Sequence, residues 1–444
     1  MFRRDNLVAE MLRRRWRPAV LAAAAVPLLL AGSHAGFAQA MGTKAEGPVQ
    51  LMFTVPIPPA PKNKTKAMYG FDISFVDQKT QTYYLGDRSN AAVDVVNAKT
   101  GNFERHIFAT PAFAGATGDN DTSGPNGVAV GGGCIFAGDG PSRVVAFDQA
   151  THKQTGDVNT GGKFRADEMA FDPADGVLIV ANNADTPPFD TLISVSKSCK
   201  LTKGKKITLD KANGVNATNG AEQPQWDPIT GRFYQSIPEI NGPPKNPGTG
   251  LIGGVARINP HTAKVESVIQ VPFCQPAGLS IGRNDIALLG CSVVFDTAGK
   301  AWSATDTNTA TPYQMLVDLR NGVLEGVVPG IGGSDEVWYN SGDNHFYTGS
   351  SKSPYAPNPS SAAQGAGILG VIDGTSEELD QQAPTFNVPA VTTGSKQHVS
   401  GTSHSVAADS KNNEVFVPLP ANNAVQGCLT GCIAVYGRSD NDID

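Results

Sequence analysis

Charged residues are scarce in this sequence. They make up 17% of the chain against 40% hydrophobic residues, which indicates a globular protein with few of the Lys- and Glu-rich helices that usually raise the charge. The formal net charge of −6 gives no sign of a basic face, so we expect no nucleic-acid partner. The seven histidines form no cluster suited to iron or copper.

One long apolar run is present, and it lies at the N-terminus. The basic stretch Arg13–Arg17 precedes "PAVLAAAAVPLLLAG", and Ala38–Ala40 supplies a small-x-small cleavage site. The run is shorter than the ~20 residues that span a bilayer. We therefore predict a signal peptide over residues 1–40, with a membrane anchor as the alternative. The mature chain is expected in the periplasm or outside the cell, without a membrane segment.

The cysteines agree with export. All six lie in the predicted mature part, and an even number in an oxidising compartment predicts three disulfides. A redox or metal site at the closely spaced Cys428 and Cys432 is the alternative. The predicted pairs are Cys134–Cys199, Cys274–Cys291 and Cys428–Cys432.

Glycine (49) and proline (31) are plentiful, and the turns they predict separate a repeated unit. Each unit begins with an opening residue, followed by a short first strand, a tight turn, and two or three further strands. The seven opening residues are Asp72, Asn126, Asp167, Glu222, Ala277, Asp335 and His404.

Four antiparallel strands per unit are typical of a β-propeller blade, and a two-sheet sandwich is the alternative. The last unit lacks a fourth strand, but "VQLMFTVP" at 49–56 can supply it. We therefore predict an all-β, seven-bladed β-propeller over residues 41–444, with four-stranded antiparallel blades and a ring closed by the N-terminal strand, which leaves no exposed edge.

First strands line the channel of a propeller, so the opening residues should converge at its mouth. Four of them are the acids Asp72, Asp167, Glu222 and Asp335, which would repel one another within ~5–8 Å in a partly desolvated channel. A hard divalent cation would compensate this repulsion, and Ca²⁺ is the expected ion, with Mg²⁺ as an alternative. A water-filled channel that solvates the acids is the other interpretation.

The long connections are all predicted on the same face as the opening residues. Function usually resides in such loops on a rigid scaffold, so we expect a small-molecule ligand or a protein partner there. The long segments are 110–125, 210–221, 238–250, 295–310, 350–367 and 390–403.

Three stretches resemble the gluconolactonase/regucalcin family: "EQPQWDPITGRFYQS" from Glu222, "GPNGVAV" around Asn126, and "ADEMAFDPADG" around Asp167. The resemblance implies that these three side chains hold Ca²⁺ or Zn²⁺, and that Asp167 also transfers protons during lactone hydrolysis. "YYLGDRSNAAVDVVNAKTG" from Tyr83 instead resembles secreted seven-bladed propellers of the YVTN type. His404 in "TSHSVAAD" is similar to the base of the streptogramin lyases, which acts near Mg²⁺.

Three functions follow from these observations. The first is a metal-dependent hydrolase of lactones or small esters, in which Asp335 or His404 moves the proton. The second is a non-catalytic binding protein or scaffold, and the third is a metal-assisted lyase with His404 as base. The predicted metal ligands are Glu222, Asn126, Asp167 and Asp72.

Overall fold

Strands dominate the computed structural model, which describes residues 47–303, 310–353, 366–394 and 396–439. Residues Pro48–Asp444 form one compact unit. The predicted signal peptide lies outside the described residues, so its boundary at Ala40 stays a prediction. No helix in the described ranges is long and apolar enough to cross a membrane.

The described strands form seven antiparallel sheets of four strands each. The chain enters through β1 (Val49–Pro56). Blade one contains β2 (Ser74–Asp77), β3 (Thr82–Asp87), β4 (Ala92–Asn97) and β5 (Asn102–Ile107). Blade two contains β6 (Val128–Gly131), β7 (Cys134–Asp139), β8 (Arg143–Asp148) and β9 (Gln154–Asn159). Blade three contains β10 (Met169–Asp172), β11 (Val177–Asn182), β12 (Phe189–Val195) and β13 (Leu201–Thr208).

Blade four contains β14 (Pro224–Asp227), β15 (Arg232–Ile237), β16 (Ile252–Asn259) and β17 (Lys264–Pro272). Blade five contains β18 (Cys274–Ile281), β19 (Ile286–Val294), β20 (Tyr313–Asp318) and β21 (Val323–Pro329). Blade six contains β22 (Gly332–Asn340), β23 (His345–Ser353), β24 (Ala366–Asp373) and β25 (Leu379–Pro384). Blade seven contains β26 (Ala407–Asp409), β27 (Glu414–Leu419) and β28 (Cys432–Arg438) together with β1. Short 3₁₀ turns lie at Asn120–Thr122, Lys211–Asn213 and Arg283–Asp285.

The two ends of the chain meet in blade seven. Strand β1 pairs antiparallel with β28, from Val49 opposite Arg438 to Pro56 opposite Cys432. The N-terminal strand therefore closes the ring, and the predicted all-β, seven-bladed architecture is confirmed.

Aspartates make the tight turn after the first strand of several blades. The carboxylate of Asp172 accepts a hydrogen bond from the backbone N–H of Ala174 at 2.8 Å, and that of Asp227 from Ile229 at 2.9 Å. Such Asx turns reverse the chain with local bonds alone. The following Gly231 has a φ of +62°, which a residue without a Cβ adopts at little cost.

The core lies between the faces of adjacent blades. Between blades seven and one, Val55, Leu85 and Val435 are buried, and the rings of Tyr83 and Phe416 stack with centroids 5.4 Å apart. Such apolar contacts are repeated around the ring and hold each blade against the next.

All three predicted disulfides are present: Cys134–Cys199, Cys274–Cys291 and Cys428–Cys432. Cys134 begins β7 and Cys199 lies in the turn between β12 and β13, so this bond ties blade two to blade three. The predicted alternative, a redox or metal site at Cys428 and Cys432, is not what the structure shows.

Removing the closing strand tests this architecture. A chain that begins at Ile57 lacks β1 and leaves the outer edge of β28 without its partner strand, whereas a chain that begins at Gly47 keeps the pairing of β1 with β28. The burial of Val49 and Val55, each 2% exposed, is worth about 3–6 kcal/mol together, so the shorter chain should lose at least that much unfolding free energy. Denaturant unfolding followed by circular dichroism measures the difference, and equal midpoints would contradict closure by β1.

Candidate functional site

An axial cavity of about 470 Å³ lies where the first strands of the blades begin. Five of the seven opening residues line this cavity: Asp72, Asp167, Glu222, Asp335 and His404. Asn126 is fully buried and contacts an arginine side chain instead, and Ala277 is buried outside the lining. The structure therefore brings together both predicted proton-transfer residues and three of the four predicted metal ligands.

A shared backbone register places three of these residues. In their blades the N–H of the opening residue donates to a carbonyl of the second strand, and the first strand starts two residues later. These bonds join Asp72 to Gly86, Asp167 to Ala181 and Glu222 to Ser236, each at 2.9 Å. Asp335 lies inside β22 and His404 lies three residues before β26, so these two line the cavity from other points of their blades.

Arg88 is the first cavity residue that the sequence interpretation missed. It directly follows β3, is 8% exposed, and its guanidinium contacts the carboxylate of Asp72. Its Nε donates to the side-chain oxygen of Asn126 at 2.9 Å, and its Nη1 donates to that of Asn120 at 2.6 Å. Arg88 thus links blade one to the loop 110–125 and to blade two.

Arg165 has the same role beside the third blade. Its Nη2 lies 2.8 Å from a carboxylate oxygen of Asp167, and its Nε donates to the side-chain oxygen of Asn183 at 3.3 Å. The guanidinium is 9% exposed, so this pair is nearly desolvated. Two arginines therefore supply the positive charge that the clustered acids require.

His404 extends the first ion pair into a triad with Arg88 and Asp72. Its Nε2 lies 3.3 Å from Asp72 Oδ1, its Nδ1 is 2.7 Å from the carbonyl oxygen of Thr402, and its ring stacks on Phe71 with centroids 5.5 Å apart. Burial alone would lower the pKa of His404, but the hydrogen bond to Asp72 and the nearby carboxylates raise it above its usual value. Burial alone would raise the pKa of Asp72, but Arg88 and His404 hold that pKa below the ordinary range.

Three other acids of the cavity, Asp167, Glu222 and Glu168, have raised pKa values. Burial raises the pKa of Asp167 to about 7 although Arg165 opposes the shift. Burial, and then the negative charges of Asp167 and Asp335, raise the pKa of Glu222 well above its usual value. Glu168 is shifted in the same direction by burial and by Glu222. The axial cavity therefore combines an ionised Asp72 with three acids whose protonated forms are favoured by burial.

The predicted metal ligands do not form an oxygen cage. Asp72 and Asp167 are paired with guanidinium groups, and the side-chain oxygen of Asn126 accepts from Arg88. In the described part of the chain, no group of three or more His, Cys, Asp or Glu is placed to hold a metal ion. Calcium takes ~6–8 oxygen ligands, which this arrangement does not offer. The metal stays a prediction. It was expected because the clustered acids repel one another, and Arg88 and Arg165 already supply positive charge against that repulsion.

Three of the predicted long segments contribute to the axial cavity, and one of them, 350–367, does so through Ser351 in β23. Gly118, Asp119 and Asn120 come from the loop 110–125, whereas Val399 and Ser400 come from 390–403. The loop 390–403 contacts the segment before β2 through the ring of His398, which stacks on that of Tyr69 with centroids 3.6 Å apart. These contacts bring parts of the predicted loops to the axial cavity, and the functional role of this face stays a prediction.

A Gly-x-Ser-x-Gly pattern at 278–282 does not form a nucleophile elbow. Ser280 lies inside β18 and is 4% exposed, and its hydroxyl accepts a hydrogen bond from the backbone N–H of Tyr339 at 2.8 Å. An elbow requires an exposed serine between a strand and a helix. Ser280 is a structural link between blades five and six.

No protein-family model and no curated protein matches the chain. Among solved structures, hydrazine synthase of Kuenenia stuttgartiensis is similar at 11% identity and a TM-score of 0.59, covering 84% of this chain and 97% of that one. The chain is a seven-bladed β-propeller. A chain of the mitotic checkpoint complex is similar at 9% identity and a TM-score of 0.53, covering 94% and 99%. These likenesses show the fold alone, so the resemblances to gluconolactonases, YVTN propellers and streptogramin lyases stay predictions.

The raised pKa of Glu222 predicts a pH-dependent stability. The folded protein keeps the proton on Glu222 at pH values where the unfolded chain, with a pKa near 4.5, has lost it. The stability that this proton contributes to the fold is complete below pH 4.5, and it is lost as the pH rises through the pKa of Glu222 in the folded protein. Glu222→Gln keeps the neutral form, so it should be more stable than the parent at high pH and similar to it at pH 4.5.

Thermal unfolding across this pH range checks the prediction. A pKa difference of one corresponds to about 1.4 kcal/mol, so the unfolding free energy of Glu222→Gln should exceed that of the parent by at least this amount at the highest pH. The exposed Glu378→Gln is the matched control and should follow the parent curve. A Glu222→Gln curve parallel to the parent at every pH would show that Glu222 titrates normally.

Proposed function

We propose that this propeller is an exported binding protein whose axial cavity takes up a small polar organic ligand. The supporting observation is the pair of desolvated arginines, Arg88 and Arg165, that balance the acids around a cavity of about 470 Å³. This volume lies within the ~300–1,000 Å³ of small-molecule sites. Three disulfides agree with export into an oxidising compartment.

The chemistry of the lining favours a polyhydroxylated acid or its lactone. Guanidinium groups present planar pairs of donors that suit a carboxylate or a carbonyl oxygen. Asp335 and Glu222 offer acceptors for ligand hydroxyls, and the ring of Phe71 offers an apolar face beside them. Because Arg88 and Arg165 are already paired with Asp72 and Asp167, a ligand of low net charge enters without separating these buried ions.

Hydrolysis of such a lactone is the second candidate, and the contact between His404 and Asp72 favours it. The raised pKa favours the protonated form of His404, which suits donation of a proton to the departing ring oxygen. Asp335, in the same cavity, would accept the proton of the attacking water. The same raised pKa weighs against His404 as the base of a lyase.

Calorimetric titration of the purified protein with gluconate and with gluconolactone tests the binding function. Asp335→Asn and His404→Gln each remove a charged hydrogen-bonding group worth about 1.5–3 kcal/mol, so each should weaken binding roughly tenfold or more. Asp175→Asn, on an exposed turn of blade three, is the matched control and should bind as the parent does.

Binding that is unaffected by both cavity substitutions would place the ligand elsewhere, and the absence of binding by either compound would remove the proposed ligand class. A pH-stat assay on gluconolactone then separates the two candidates. Turnover above the spontaneous rate that disappears in His404→Gln identifies a hydrolase, whereas saturable binding without turnover identifies a binding protein.

A further inference from the structure

A second cavity lies further along the channel, beyond the axial cavity. It has a volume of about 270 Å³ and is bounded by residues in the middle of the first strands. We call it the aromatic cavity, because four of its lining residues are aromatic: Phe75, Phe171, Trp226 and Trp338. Its volume is just below the ~300 Å³ of drug-sized sites, so its ligand has few heavy atoms.

The aromatic side chains come from four different blades. Phe75 lies in β2, Phe171 in β10, Trp226 in β14 and Trp338 in β22, and all four are partly exposed. The rings of Phe75 and Trp338 meet edge to face with centroids 5.3 Å apart. Aromatic faces around a small space attract cations, most strongly where tryptophan takes part.

The charged groups of the aromatic cavity are all acidic. Glu168 and Glu336 line it, and none of its described lining residues is Lys, Arg or His. This composition contrasts with the axial cavity, whose acids face Arg88 and Arg165. A ligand that complements the aromatic cavity therefore carries positive charge.

Glu168 is the second, independent sign of a ligand. It lines both cavities, is 4% exposed, and its Oε2 has no hydrogen-bond partner among the described residues. Glu336, by contrast, accepts hydrogen bonds from the hydroxyl of Ser405 at 2.6 Å and from the N–H of Val406 at 2.9 Å. A buried carboxyl oxygen without a partner is costly, and a bound cation would satisfy it.

We propose that the aromatic cavity binds a small organic cation of the alkylammonium class, held between the aromatic rings and the carboxyl group of Glu168. A bare metal ion suits this site less well, because the rings offer no oxygen ligands. An anion is disfavoured by both carboxyl groups. A methylated ammonium group matches both features, with apolar methyl groups against the rings and its charge toward the acid.

Quenching of tryptophan fluorescence by choline tests the proposal, with calorimetry as the second readout. The neutral isostere dimethylbutanol, in which a tert-butyl group replaces the trimethylammonium group, has the same shape without the charge. Cation–π attraction is worth about 0.5–2 kcal/mol, so choline should bind roughly 2- to 30-fold more tightly than the alcohol. Trp226→Leu and Glu168→Gln should each reduce the affinity for choline about tenfold.

Trp302→Leu is the matched control, because Trp302 packs in the core of blade five away from this cavity and its loss should not change choline affinity. Glu336→Gln, at a residue that lines the aromatic cavity but not the axial cavity, provides a second isosteric variant should Trp226→Leu fold poorly. Equal affinity for choline and dimethylbutanol, or no saturable response to choline, would overturn the proposal. So would tight choline binding that neither Glu168→Gln nor Glu336→Gln weakens.

Discussion

Two buried ion pairs, Arg88 with Asp72 and Arg165 with Asp167, are the interactions on which the candidate site depends. Acids gathered at a propeller axis repel one another, and a desolvated carboxylate without a partner costs several kcal/mol. The guanidinium groups reduce that cost for these two acids, and burial favours the protonated forms of Glu222 and Glu168. The result is a preorganised polar cavity, in which a ligand meets groups already oriented by their neighbours.

The fold was predictable because its determinants are local and repeated. Turn residues such as Asp172 and Asp227 recur at the same point of the unit, and the apolar alternation around them has the period of a strand. The missing fourth strand of the last unit identified Val49–Pro56 as the closing strand, because a propeller leaves no open edge. The disulfide pairs followed from the even number of cysteines and their spacing.

The chemistry of the site was harder to predict, because it depends on which side chains meet in space. The opening residues were recognisable from their place in the repeat, but Arg88 reaches Asp72 from the end of the neighbouring strand, where no repeat position marks it. Arg165 stands two residues before Asp167 and could have been noticed as a basic residue close in sequence to an opening acid. The aromatic cavity was equally hidden, since Trp226 and Trp338 follow the same alternation as core residues.

The central claim is that arginines and protons balance the acids of the axial cavity. Elemental analysis of the protein purified without chelators measures this directly. The account predicts less than stoichiometric calcium, magnesium and zinc, with no difference between the parent and Glu222→Gln. One divalent ion per chain that is lost on substitution of Glu222 would contradict it and restore the metal-dependent interpretation.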